Sequence, residues 1–107
     1  MSYSIDMTPT AKDDLRDIFR YIAYDLQALT NAVGQIERLE KAIMSLDSMP
    51  ERYRVYDKPK WRERNLRVMP VDNYLVFYVP EQEKHTVTIV RIMYGGRDID
   101  RQLNTIE

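Results

Sequence analysis

The stretch "NLRVMPVDNYLVFYVPEQEKHTVTIVRIMY", residues 65–94, decides the fold of this chain. It holds three runs rich in β-branched and aromatic residues: Asn65 to Pro70, Tyr74 to Val79, and Thr86 to Tyr94. Only Val71-Asp72-Asn73 and the polar segment Pro80 to His85 separate them. Connections this short join antiparallel neighbours, so the reading is a meander. "YLVFYV" is apolar on both faces and is read as the central, most covered strand, whereas "TVTIVRIM" alternates less cleanly.

Outward toward the N-terminus the period changes. "YSIDM", Tyr3 to Met7, reads as a short strand, and Thr8-Pro9 follows as a helix start with Thr8 as the N-cap. Ala11, Leu15, Ile18, Phe19, Ile22 and Leu26 then form one apolar stripe, which predicts a helix to about Leu26. After "QALTN" a second helix, capped near Thr30 or Asn31, carries Ala32, Ile36, Leu39, Ile43 and Leu46. Two amphipathic helices on a short loop fold back as an antiparallel hairpin. Pro50 stops the second. The order β-α-α-β-β-β gives an α+β fold in which a helical hairpin packs on one face of a small, mostly antiparallel sheet. The opposite face is expected to stay partly open. A final turn of helix is expected at "DIDRQL", with Asp98 as its cap.

With 107 residues the chain is read as one domain, residues 1–107. It has no cysteine and one histidine, so no disulfide framework, thiolate nucleophile or His/Cys metal site is expected, and no phosphate-binding or dinucleotide fingerprint points to a cofactor. The N-terminus lacks the pattern of a secretory signal, no apolar run reaches bilayer length, and a reducing cytoplasm is the expected location without membrane attachment. Charge is uneven. Arg52, Arg54, Lys58, Lys60, Arg62, Arg64 and Arg67 are opposed locally only by Glu51, Asp57 and Glu63, while Asp13, Asp14 and Asp17 gather near the start. Such a split favours an anionic partner for one face, either nucleic acid or an acidic polypeptide.

Three segments in order, "TPTAKDDLRDIFRYIA", "LRVMPVDNYLVFYV" and "VTIVRIMYGGRDIDRQL", resemble the RelE/ParE superfamily of bacterial type II toxins, and more closely its ParE-like branch. The resemblance implies a growth-inhibiting toxin that forms a hetero-oligomer with a cognate antitoxin and reaches operator DNA only through it. It also implies one of two targets. ParE-like members poison DNA gyrase, and RelE-like members cut messenger RNA on the ribosome.

The ribonuclease alternative needs cations over the scissile phosphate and groups that move protons. Carried over from the RelE-like pattern, Arg67 and Arg97 match in charge, and Tyr94 could donate a proton. Met69 and Leu75 stand where further cations are wanted, and the tail "RQLNTIE" has neither tyrosine nor histidine. That departure favours a gyrase-directed toxin. A third reading is a non-toxic domain kept for antitoxin binding or corepression.

Trp61, Arg62, Arg64, Arg67, Arg91 and Arg97 are the candidate contacts for antitoxin or target. Structural explanations stand beside each of these. Arg97 could pair with Asp98 or Asp100, Trp61 could lid the helical hairpin, and the basic segment could be a solvated loop. Gly95-Gly96 could take the chain out of the sheet through positive φ, His85 is read as a turn residue, and the tyrosines and six methionines as packing.

Overall fold

The computed structural model describes residues 2–96 and 99–104. Four strands form one sheet in the order β1-β4-β3-β2: β1 (Ser4–Met7), β2 (Arg67–Val71), β3 (Tyr74–Glu81) and β4 (Thr86–Tyr94). β2, β3 and β4 are the expected antiparallel meander, and β1 adds in parallel along β4. The hairpin is α1 (Pro9–Arg20) with a π-helical turn (Tyr21–Asp25), followed by α2 (Leu29–Met44). A short helix α3 (Pro59–Arg62) precedes β2, and α4 (Ile99–Asn104) follows β4. The expected last helix is therefore present, while its proposed cap Asp98 lies outside the described residues.

Thr8 acts as read. Its Oγ1 accepts from the Ala11 N–H at 3.0 Å and donates to the Val90 carbonyl at 2.9 Å, so one hydroxyl starts α1 and ties it to β4. Thr8→Ala is expected to lose about 1–2 kcal/mol in chemical denaturation, most of it restored by serine. An unchanged midpoint would contradict this role.

β1 stops opposite Ile89, leaving the rest of the β4 edge without a strand neighbour. The start of α1 takes its place. The Thr8 N–H donates to the Ile89 carbonyl at 3.0 Å, and the Asp14 carboxylate accepts from the Ile92 N–H at 2.9 Å. At the opposite edge, the Val68 N–H donates to the Arg54 carbonyl and the Tyr56 N–H to the Leu66 carbonyl, which covers the start of β2.

A β-bulge explains the imperfect alternation of the last strand. Phe77 faces Arg91 but Tyr78 faces Ile89, so Val90 is an extra residue and the side-chain parity of β4 switches there. Val87, Ile89 and Ile92 thereby all join the hairpin-side core with Ala11, Leu39 and Leu46. Tyr78 sits at the bottom of this core, fully buried, and donates its hydroxyl to the Pro50 carbonyl at 2.6 Å. Burial pushes its pKa up to about 12.

The sheet's other face is not open. Trp61, Leu66, Val68, Phe77, Met93 and Leu103 form a second buried cluster there, brought together by α3, the sheet and α4. The sequence reading missed it because its apolar residues are scattered over short elements with no sustained period. Trp61 is thus a lid on this cluster, 5% exposed, and not on the hairpin.

The hairpin also departs from its expected course. Regular α-helix ends at Arg20, and the π-helical turn is closed by the Leu26 N–H donating to the Tyr21 carbonyl at 3.0 Å. The wider turn rotates the stripe, so Leu26 is 55% exposed instead of buried. Gln27 then turns the chain at φ 54°, and α2 begins at Leu29 behind Ala28, which offers no side-chain cap; Thr30 and Asn31 lie inside its first turn.

Candidate functional site

The largest recess, about 850 Å³, lies between α1 with its π-helical turn and the far ends of β3 and β4, bordered by α4. Its wall includes Asp14, Asp17, Tyr21, Gln35, Tyr74 and Tyr94. Tyr74 and Tyr94 face each other across β3 and β4 and meet edge to face, ring centroids 5.7 Å apart. Burial pushes the Tyr74 pKa up, with the Tyr94 and Tyr21 hydroxyls adding to the shift. Tyr94 is half-exposed on the rim. Near one side, the carboxylate of Asp72 in the β2–β3 turn accepts from Arg38 Nε at 2.8 Å and Gln35 Nε2 at 3.0 Å. These bonds, Arg38 first, hold its pKa below the usual carboxylate value.

Beside the recess, Tyr21, Tyr24, Leu26, Leu29 and Val33 are between 44% and 66% exposed. These residues were not among the sequence candidates. Their apolar character was read as core stripe, and only the extra residue per turn of the π-helical segment turns them outward.

Arg91 is one of the sequence candidates, and it anchors the wall of the recess. Its Nε and Nη2 grip Asp14 Oδ2 and Oδ1 at 2.8 and 3.0 Å, and Nη1 reaches the Gln102 carbonyl at 3.5 Å. The two side chains are 12% and 13% exposed. One arginine therefore links α1, β4 and α4, and the early acid cluster supplies its partner.

Arg67 is likewise committed inward. Nη1 donates to the carbonyls of Glu51 and Tyr53 at 2.9 and 2.7 Å, and the guanidinium lies 3.7 Å from Glu51. It faces Tyr78, whereas Tyr94 faces Tyr74, so the two sit toward opposite ends of β3, about 13 Å apart along the strand alone at the usual rise per residue. The structure does not bring Arg67 and Tyr94 together. Met69, where a cation was wanted, is buried in the hairpin-side core, and Leu75 packs against the opposite cluster. Arg97 lies outside the described residues.

Arg62 and Arg64 are exposed on the α3 knob, on the other side of the sheet from the hairpin, while Trp61 between them is buried. The Trp61 ring carries Lys60 Nζ at 4.9 Å and the Arg64 guanidinium at 5.3 Å. Arg62 also reaches Asp57 at 2.9 Å. The candidate contacts therefore divide between the recess wall, the β2 edge and the knob.

Three smaller readings change as well. No described glycine has positive φ: Gly95 leaves the sheet by donating to the Asn73 carbonyl at 2.9 Å, and a Cβ there would lie 3.3 Å from that oxygen. Met69 and Met93 are core, but Met44 and Met49 are 57% and 72% exposed. His85 is a turn residue as read, at φ 49°. Among the described residues no three His, Cys, Asp or Glu side chains gather as a metal site, and no helix is long and apolar enough to cross a membrane.

Comparison with solved structures places this architecture. It superposes on a chain of the chromosomal ParDE toxin–antitoxin system from P. aeruginosa with TM-score 0.72 and 15% identity, covering 87% of this chain and 96% of that one. A free E. coli RelE toxin mutant gives TM-score 0.66 and 15% identity over the full length of both chains. A RelBE toxin–antitoxin complex from Mycobacterium tuberculosis gives 0.60 and 20%, covering 88% and 99%. Identities this low establish the shared fold. A search of curated proteins finds no match. The sequence profile of the ParE toxin of the type II toxin–antitoxin system parDE, however, matches residues 5–99, nearly the whole chain. This protein belongs to the ParE toxin family, the toxin side of a type II toxin–antitoxin module.

Proposed function

We propose that this toxin acts by binding, that its target is DNA gyrase, and that a cognate antitoxin silences it by occupying the recess between α1 and the ends of β3 and β4. The observation carrying the first point is the dispersal of the ribonuclease candidates. Arg67 spends its guanidinium on two backbone carbonyls at the opposite end of β3 from Tyr94. A general acid and a phosphate-neutralising cation must converge within hydrogen-bond reach of one reacting group. These two do not.

An antitoxin fits the recess because apolar side chains stand exposed beside it. Five large apolar residues near one another, Tyr21, Tyr24, Leu26, Leu29 and Val33, are an unusual outlay for a free surface and suit a partner's apolar face. Toxin–antitoxin complexes appear among the similar structures, which supports the same assembly here.

The purified toxin is expected to inhibit gyrase-dependent supercoiling and to leave ribosome-bound message intact, with its antitoxin reversing the inhibition. Message cleaved at A-site codons with supercoiling untouched would instead establish a ribosome-dependent endonuclease, and Arg67→Ala would then test the site. Unimpaired growth on expression without antitoxin would mark a domain retained only for binding.

A further inference from the structure

We propose that the α3 knob is a docking surface for the phosphate backbone of duplex DNA, contacted by the toxin directly and independently of its recess. This goes beyond the gyrase reading and does not depend on it.

The charge is local and exposed. Between Glu51 and Arg67 seven basic residues face three acidic ones, in a chain whose formal net charge is -1. Arg52, Arg54, Lys58, Lys60, Arg62 and Arg64 are all exposed. Within the segment Arg62 pairs with Asp57 and Arg67 with Glu51, and Lys58 lies 3.7 Å from Asp100 of α4. Even with both internal pairs counted, five basic residues remain against Glu63. The field over this face is therefore positive, against a background that is acidic elsewhere.

The cations are also held in place. Residues 58–66 are folded into a tight knob by successive backbone bonds, among them the Arg62 N–H to the Lys58 carbonyl at 2.8 Å and the Leu66 N–H to the Trp61 carbonyl at 3.1 Å. Trp61 pins the knob into the buried cluster beneath, and its ring seats Lys60 and Arg64. Little ordering remains to be done when a ligand binds.

The aromatic residues decide which anion fits. Binding of single strands relies on exposed rings that stack bases. Here Trp61 is buried and Tyr56 packs edge to face on Phe77 with its hydroxyl on Asp100, so no ring of the knob is presented to a base. An acidic protein partner would want apolar anchors at the centre of the patch. None of the large exposed apolar residues falls between Glu51 and Arg67. A surface of fixed cations without stacking platform or apolar anchor matches sequence-independent contact with duplex phosphates.

The test is fluorescence anisotropy of the full chain with a labelled 20-base-pair duplex of arbitrary sequence, titrated between 50 and 200 mM salt. With about four phosphates neutralised, the log–log salt slope should be near -3.6, and affinity should fall roughly 100-fold across that range. Arg54→Gln, Lys60→Gln, Arg62→Gln and Arg64→Gln combined should remove most of this slope and weaken binding at least 30-fold at 50 mM. Its denaturation midpoint should stay close to that of the parent, showing a folded protein. Absent binding at 50 mM, or an unchanged slope in the variant, overturns the proposal. Tighter binding to the single strand, or equal displacement by polyglutamate of matched charge, assigns the knob to RNA or to an acidic protein and overturns it too. None of these outcomes bears on gyrase inhibition, which is read separately.

Discussion

Replacing Asp14 with alanine is expected to destabilise the toxin by about 3–5 kcal/mol, because it leaves the largely buried Arg91 guanidinium without its counter-charge. The same carboxylate accepts from the Ile92 N–H, so a strand amide is orphaned along with the arginine. Against a total stability of about 5–15 kcal/mol for a domain, such a loss is visible directly as a lowered urea midpoint. Arg91→Ala should cost a comparable amount, and the double variant much less than the sum, because the two act on one interaction. Arg91→Lys should rescue little, since an ammonium cannot grip both carboxylate oxygens in parallel. Asp13 makes the internal control. Its pair with Arg16 is more than half exposed on both sides, and Asp13→Ala should cost under about 1 kcal/mol. If Asp13 and Asp14 variants behaved alike, the role assigned to the Asp14–Arg91 pair would be wrong.

Trp61→Ala carries the second large effect, about 3–5 kcal/mol, as an indole is removed from a packed cluster. Its neighbours belong to β2, β3, β4 and α4, so the space left cannot be refilled by one of them without moving the others. Trp61→Phe should keep much of the packing and lose about 1–2 kcal/mol. Because Trp61 is the only tryptophan, its fluorescence reports the same event. A red-shifted, solvent-like emission from the native parent, or a cost under 1 kcal/mol for alanine, would contradict its place as the lid of the second core.

The parts of this fold legible in the sequence are those written in a period or a cap. Thr8-Pro9 announced α1, the alternating fours and threes of α2 announced a helix, and three apolar runs on short connections announced the meander. The π-helical turn was hidden, because one extra residue per turn changes where Leu26 points without changing any residue type. The turns were misread for a related reason. Positive φ falls on Gln27, Met49, Asn65, Asp72 and His85, and not on the described glycines, although only the asparagine and aspartate advertise that conformation.

The site was less legible than the fold. A long guanidinium can turn toward solvent or curl onto the backbone, and the sequence is silent on which. Arg91 and Arg67 turned inward, to Asp14 and to the carbonyls of Glu51 and Tyr53, while Arg62 and Arg64 stayed outside. What the sequence did show was the gross separation of charge, acids early and bases midway. The structure gives each its place, with Asp14 and Asp17 in the recess wall and the basic knob across the sheet.

The way α1 stands in for a missing strand has a consequence for how the molecule breathes. Ordinarily an amide on an uncovered strand edge exchanges its hydrogen with solvent through small local fluctuations. The Ile92 amide is held by a side chain from a helix, and that side chain is itself clamped by Arg91, so its proton is released only when helix and sheet part. The α1 layer and the end of β4 thus open as one unit. A partner seated in the recess beside them would close a single cooperative hinge.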